Sequence, residues 1–173
     1  MASQPPGVVD AQLPQQLRGN LMWASLAALF DGEGCIRIDR ARPRGNCTLN
    51  KYSVDLRVLN TNIGWMYAWK NRLSAGTVSK PIQTDAKSKP RVQWAICRKG
   101  DMRRLLQGML PFLFCKREQA ILALDFLAKF KPSYGRVAGV EGYVRCKPST
   151  QEMSWREEMF QRMRLLNQKG VAL

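Results

Sequence analysis

The stretch Leu21–Ile38, LMWASLAALFDGEGCIRI, decides how this chain is read. From Leu21 to Phe30 it is almost wholly apolar, with small Ala24, Ala27 and Ala28 set among large residues. Apolar residues all round a helix mean burial on every side, and small residues at helical spacing let another backbone come close. The stretch then switches to Asp31-Gly32-Glu33-Gly34 and continues as a short Ile/Arg run. The two glycines are expected to end the helix and to aim Asp31 and Glu33 out of its C-terminal end. That end is the negative pole of the helix dipole, where carboxylates are disfavoured unless a cation joins them. Two acids there read as a metal site.

The rest of the composition narrows the chemistry. The chain has 173 residues, enough for one domain with a sizeable core. Lys and Arg number 28 against 13 acids, a net charge of +15 that points to a polyanionic partner, nucleic acid first. A ribosome-associated or membrane-surface protein would share that charge. No apolar run is long enough to span a bilayer, so no membrane partner is expected. The 5 Cys are odd in number and show no CxxC spacing, which suggests free thiols in a reducing, intracellular compartment. There is no His. His-based acid/base chemistry and His–metal sites are excluded, leaving carboxylates and Lys.

In chain order, residues 1–19 are rich in Gln and Pro and read as a loose N-terminal arm, ahead of a single domain over 20–173. Asn20 can cap a first helix running to about Gly32. Ile36 and Ile38 alternate with Arg37 and Asp39, as in a strand with one buried face. From Leu49 to Asn60 the alternation is clean: Tyr52, Val54, Leu56 and Val58 share one face, Lys51, Ser53, Asp55 and Arg57 the other. Thr61 can cap a helix to about Leu73. Two further strands, Thr77–Gln83 and Pro90–Cys97, flank a polar loop. Helices follow from Met102 (capped by Asp101), from Lys116 to Phe130, and from Ser149 or Ser154, with a loop over Lys131–Pro148. Trp65, Trp69, Trp94 and Trp155 lie on apolar faces and read as core. The order is α-β-β-α-β-β-α-α-α, and no internal repeat is evident.

Within the opening stretch, Leu26-Ala27-Ala28-Leu29-Phe30-Asp31-Gly32-Glu33-Gly34 resembles the nine-residue motif of the LAGLIDADG homing endonucleases. It departs in Ala28 for Gly, Phe30 for Ile, Gly32 for Ala and Glu33 for Asp, each keeping size class or charge. The resemblance implies an α+β fold: an αββαββα core with a four-stranded antiparallel, saddle-shaped sheet per subunit, plus C-terminal helices here. The same αββαββα order comes from periodicity alone.

The resemblance also implies an activity, site-specific double-strand DNA cleavage by metal-dependent phosphodiester hydrolysis. The eighth motif position, Glu33, would be the metal-binding acid and the Gly32 carbonyl a further ligand, with Asp31 a weaker candidate that can instead cap or brace helices. Mg²⁺ suits such hard oxygen donors best, and Mn²⁺ or Ca²⁺ could substitute for binding. Two positions carry over from the single-motif branch: Asn60, where a Gln often orients the water network, and Lys116, following Pro111-Phe112-Leu113, near the scissile phosphate. A basic residue that some relatives have shortly after the Gln is missing at Gly64-Trp65. One motif supplies one acid, so a homodimer is expected, its first helices packed through Ala24, Ala27 and Ala28.

The outer strand face would read bases in the major groove: Arg37, Asp39, Lys51, Ser53, Asp55, Arg57, Arg91 and Gln93. Lys80, Lys87, Lys89 and the Arg40–Arg44 turn would hold phosphate. Two half-sites make a long, near-palindromic target. Such genes lie in introns of organelles, archaea and bacteria, so a chloroplast, a mitochondrion or the prokaryotic cytoplasm is the expected location. The rival reading is a non-cleaving protein of the same fold, an RNA-binding splicing maturase or a DNA-binding regulator. Retention of Glu33 favours the nuclease, since a pure binder gains nothing from an acid facing phosphate.

Overall fold

The computed structural model describes residues 15–43, 49–83, 85–130, 134–135, 144–145 and 148–168. Helix α1 (Gln15–Glu33) leads directly into β1 (Gly34–Ala41), and β2 (Lys51–Asn60) returns beside it. Helix α2 (Ile63–Leu73) precedes β3 (Thr77–Val78) and β4 (Val92–Ile96). Then come α3 (Lys99–Met109), a 3₁₀ turn (Leu110–Phe112), α4 (Arg117–Lys129), a small hairpin of β5 (Tyr134–Gly135) and β6 (Val144–Arg145), and α5 (Thr150–Leu166). The four main strands form one antiparallel sheet in the order β1-β2-β4-β3. This is the α+β, αββαββα arrangement expected, with its added C-terminal helix.

One face of the sheet makes the core. Ile36 and Ile38, then Tyr52, Val54, Leu56 and Val58, then Val92, Trp94 and Ile96 are buried against Leu26, Ala27, Leu29 and Phe30 of α1 and the apolar sides of α2 to α5. The alternation dictates this: strand side chains point to opposite faces in turn, so an every-second apolar pattern buries one face only. The fully buried Trp94 satisfies its indole N–H on the Ala75 carbonyl at 2.9 Å. Trp23, on the same face of α1 as Ala27 and Phe30, lies over Gly108 of α3, where a Cβ would come within 2.6 Å of the ring.

The junction between α1 and β1 has no loop. The helix runs through Gly32 to Glu33, and the strand begins at the next residue. A Cβ on Gly34 would lie 2.6 Å from the Phe30 Cα and 2.7 Å from its carbonyl oxygen. Only glycine lets the strand fold back this closely over the last turn.

Several element ends differ from expectation. The first helix starts at Gln15, inside the segment read as an arm, because Gln, Leu and Arg are good helix formers and no proline follows Pro14; residues 1–14 lie outside the described residues. Asn20 therefore sits within α1 and is no cap. Asn62, not Thr61, caps α2, its side-chain oxygen accepting the Trp65 N–H at 3.0 Å. Helix α3 begins before Asp101, which occupies its first turn. Ser149 caps α5 by accepting the Glu152 N–H at 3.1 Å, and Ser154 is interior. The β3 pairing is shorter than Thr77–Gln83, continued only by a bridge between Ile82 and Arg91, because Pro81 has no N–H to donate. Trp65 is 43% exposed and is not core, whereas Trp69 and Trp94 are buried and Trp155 stacks on Phe126 at 5.3 Å.

Candidate functional site

The C-terminal end of α1 is built from two segments that hold each other. The Asp31 carboxylate accepts the backbone N–H of Phe114 at 2.8 Å and of Lys116 at 2.9 Å. In return, the Lys116 ammonium donates to the carbonyls of Phe30 at 2.7 Å and Asp31 at 2.5 Å. Those carbonyls belong to the last turn of a helix, which has no intrahelical partners for them, and a cation suits that negative pole. Asp31 is thereby engaged as a brace, the second of the two roles open to it from sequence.

Glu33 is different. Its side chain is exposed and makes no hydrogen bond or ion pair among the described residues. The Gly32 carbonyl likewise accepts nothing from outside α1 among the described residues, and the space over Gly32 is open, with no heavy atom within 4 Å of a built Cβ. Exposed carboxylate and helix-end carbonyl form an all-oxygen donor set facing solvent. Among the described residues no cluster of three or more His, Cys, Asp or Glu could hold a metal ion. Carboxylate and carbonyl oxygens are the donor type that a hard cation such as Mg²⁺ takes. Asn60 ends β2 at the same end of the sheet, since Gly34 pairs with Val58. Its side-chain oxygen accepts the Asn62 N–H at 2.7 Å, which ties it into the start of α2.

The sheet face opposite the core carries Arg37, Asp39, Lys51, Ser53, Asp55, Arg57, Arg91 and Gln93, as the alternation requires. Four of them are paired with one another. Arg37 Nε lies 2.8 Å from Asp55 Oδ2 and 2.9 Å from Asp39 Oδ1. Arg57 Nε donates to the same Asp55 oxygen at 2.6 Å, its Nη2 also bridges to it, and that Nη2 is 3.8 Å from Asp39 Oδ2. Burial pushes the Asp55 carboxyl above its ordinary pKa, with the Arg37 guanidinium opposing. Lys51, Ser53, Lys80, Lys87, Lys89 and Arg91 are exposed. Arg40 does not stand free for phosphate: it bonds Glu157 of α5 at 2.7 Å and lies 4.7 Å over the Phe160 ring. The even parity of Arg40 turns it to the core side of the sheet, and residues 44–48 of that turn lie outside the described residues.

Helix α1 also presents an open stripe. Leu17 and Leu21 are 44% and 48% exposed, and Ser25, Ala28 and Gly32 continue the stripe at helical spacing, with Ala24 at its margin. Ala27 is fully buried within the chain's own core and offers nothing to a partner. Three alanines look alike in sequence, and only the position of the sheet tells which of them faces inward. Leu17 and Leu21 were not singled out from sequence, although their spacing to Ala24 and Ala28 was there to be read.

The sequence matches no protein-family profile and no curated relative. Solved structures do match. The homing endonuclease I-CvuI, in complex with the I-CreI target in the presence of Mg with its DNA not cleaved, superposes with a TM-score of 0.68 at 20% identity, over 91% of this chain and 88% of that one. The archaeal intron-encoded homing endonuclease I-Vdi141I, complexed with DNA, gives 0.64 at 12% identity over 87% of both chains. The LAGLIDADG homing endonuclease I-SmaMI, bound to cleaved DNA, gives 0.56 at 11% identity, over 87% of this chain and 45% of that one. This chain has the LAGLIDADG fold. One copy of the LAGLIDADG fold accounts for nearly all of I-CvuI and under half of I-SmaMI, so the chain holds one unit of the architecture. In it, the acid at the eighth motif position is the free one and the acid at the sixth is braced.

Proposed function

We propose that the protein is a site-specific, double-strand DNA endonuclease of the intron-encoded homing type, acting inside the cell as a homodimer with a divalent metal. The observation that carries this reading is the contrast at the α1 end. Asp31 is fully engaged with Phe114 and Lys116, while Glu33, two residues on, stands exposed. Glu33 and the Gly32 carbonyl would hold Mg²⁺. When bound, the metal supplies charge neutralisation at the phosphate and acidification of the attacking water. Lys116, anchored on two carbonyls, keeps a fixed positive charge near the phosphate, and Asn60 orients solvent at the end of the sheet. I-CvuI was crystallised with Mg and, in another complex, with Ca, which supports a hard divalent ion.

A second copy follows from the count of acids. One free carboxylate per chain meets the need of one strand, and cutting both strands needs two. The open stripe of α1, Leu17, Leu21, Ala24, Ser25 and Ala28, is the surface for that copy, and a two-fold axis there brings the two Glu33 side chains together. The polar sheet faces of both subunits then extend along the major groove.

The test is cleavage of a plasmid library in Mg²⁺. The expected outcome is cutting at one long site, abolished in Glu33→Gln with binding retained. Binding without cutting under both Mg²⁺ and Mn²⁺ would overturn the nuclease reading in favour of a non-cleaving protein, and preference for the intron RNA over duplex DNA would identify a maturase.

A further inference from the structure

Resting on the reading of the polar sheet face as the DNA-contacting surface, we infer that Asp55 is a positioning residue and not a base reader. It holds Arg37 and Arg57 so that they read two guanines on neighbouring base pairs in each half of the target.

The geometry of the quartet carries this. Every contact that Arg37 makes to Asp39 and Asp55 uses Nε, and Arg57 turns its Nε/Nη2 edge to the same Asp55 oxygen. The end-on fork between the two Nη groups is left over in Arg37; in Arg57 its Nη2 arm also lies 3.8 Å from Asp39 Oδ2, beyond hydrogen-bond length. That fork is the one that spans O6 and N7 of guanine in the major groove. Because both Nε atoms converge on a single oxygen, at 2.8 and 2.6 Å, the two guanidinium heads sit side by side. Neighbouring heads suit neighbouring base pairs, which stack about 3.4 Å apart.

Asp55 itself is poorly placed to read. Its side chain is 21% exposed, less than Arg37 at 37%, Asp39 at 42% or Arg57 at 28%. Its Oδ2 is taken up by the two guanidinium groups, so only Oδ1 of a largely covered carboxylate is left to accept from a cytosine amino group. The quartet is also electrically neutral, two arginines against two aspartates, so it adds nothing to non-specific phosphate attraction. What it offers is a fixed geometry. Exposed Lys51, Lys80 and Arg91 elsewhere on the face supply the attraction, and the quartet supplies the discrimination.

The test is selection from a pool of random DNA duplexes by the full-length protein in Ca²⁺ at fixed salt, followed by sequencing. The wild-type protein should enrich half-sites with two adjacent guanines, on either strand. Asp55→Asn removes a negative charge, so its affinity for the unselected pool should rise while preference at both guanines falls about tenfold. Arg37→Lys, which keeps the charge but loses the fork, should relax only one of the two positions; it carries the test if Asp55→Asn does not fold. Loss of selectivity in Asp55→Asn at a single cytosine position, with both guanines still selected, would make Asp55 a direct reader and overturn the inference. So would a wild-type site lacking adjacent guanines. If the wild-type protein enriches no duplex at all, the DNA-contacting role of the whole face falls with it.

Discussion

Removing the Lys116 side chain should destabilise the protein, and by an amount that depends on whether Asp31 is present. Lys116→Met deletes two charge-assisted hydrogen bonds to the carbonyls of Phe30 and Asp31. Such bonds contribute about 1.5–3 kcal/mol each, but Asp31 is only partly buried and water can replace the donor at its carbonyl, so about 2 kcal/mol in total is expected. Asp31→Ala orphans two backbone N–H groups, those of Phe114 and Lys116, and should cost a comparable amount, about 2 kcal/mol. The two are not independent. The carboxylate fixes the backbone of the residue whose ammonium it receives in exchange, so once either side chain is gone the other is poorly placed. The double variant should therefore lose about 1 kcal/mol less than the sum of the singles. Urea unfolding followed by circular dichroism, at one protein concentration, measures all three differences. Strict additivity would refute the reciprocal arrangement, and so would a cost under about 0.5 kcal/mol for either single change.

Three further expectations follow from other parts of the fold. Gly34→Ala puts a Cβ within 2.6 Å of backbone that cannot yield, so a loss of about 3 kcal/mol and a drop in melting temperature of roughly 10 °C should be seen by calorimetry. Glu157 is held below its usual carboxylate value chiefly by the Tyr52 hydroxyl, so its pKa is lower folded than unfolded. Its contribution is then complete above the unfolded value of about 4.5 and is lost as pH falls through the folded value. Tyr52→Phe should flatten that acid limb in a plot of melting temperature against pH, and an unchanged limb would count against the contact. The proposed pairing through the open stripe of α1 predicts a dimer in sedimentation equilibrium, which Ala28→Glu should reduce to monomer while leaving the far-ultraviolet spectrum intact.

Periodicity carried the fold well where one side chain in two is apolar. The run from Tyr52 to Val58 has a single reading, and its pairing with Ile36 and Ile38 followed. Element ends were harder, because they are settled by individual bonds. Asn62 displaced Thr61 as a cap by one hydrogen bond to Trp65. At Gln15 the composition of the segment misled: glutamines beside prolines look like a loose arm, yet after the last proline they extend the helix. The distinction between Asp31 and Glu33 came from motif position. Its physical reason lies in backbone donors more than 80 residues away, which no local pattern reports. The same holds for Arg40, assigned to phosphate by its basic neighbours and found on a helix 117 residues further along. For Ala27, the three small residues of α1 are equivalent until the sheet arrives to cover one of them.

The loopless passage from Glu33 to Gly34 makes α1 and the sheet a single lever. The strand whose register sets where Arg37 lies begins one residue after the free acid, with Phe30 pressed against the turn. There is no slack in which one could shift without the other. On the function proposed above, a sheet docked out of step with DNA would carry Glu33 with it by the same displacement, so fidelity of recognition and correctness of aim become one mechanical condition. The same rigidity sets a rule for re-engineering the chain: the strands can be given new side chains, but they cannot be transplanted without the helix that feeds them.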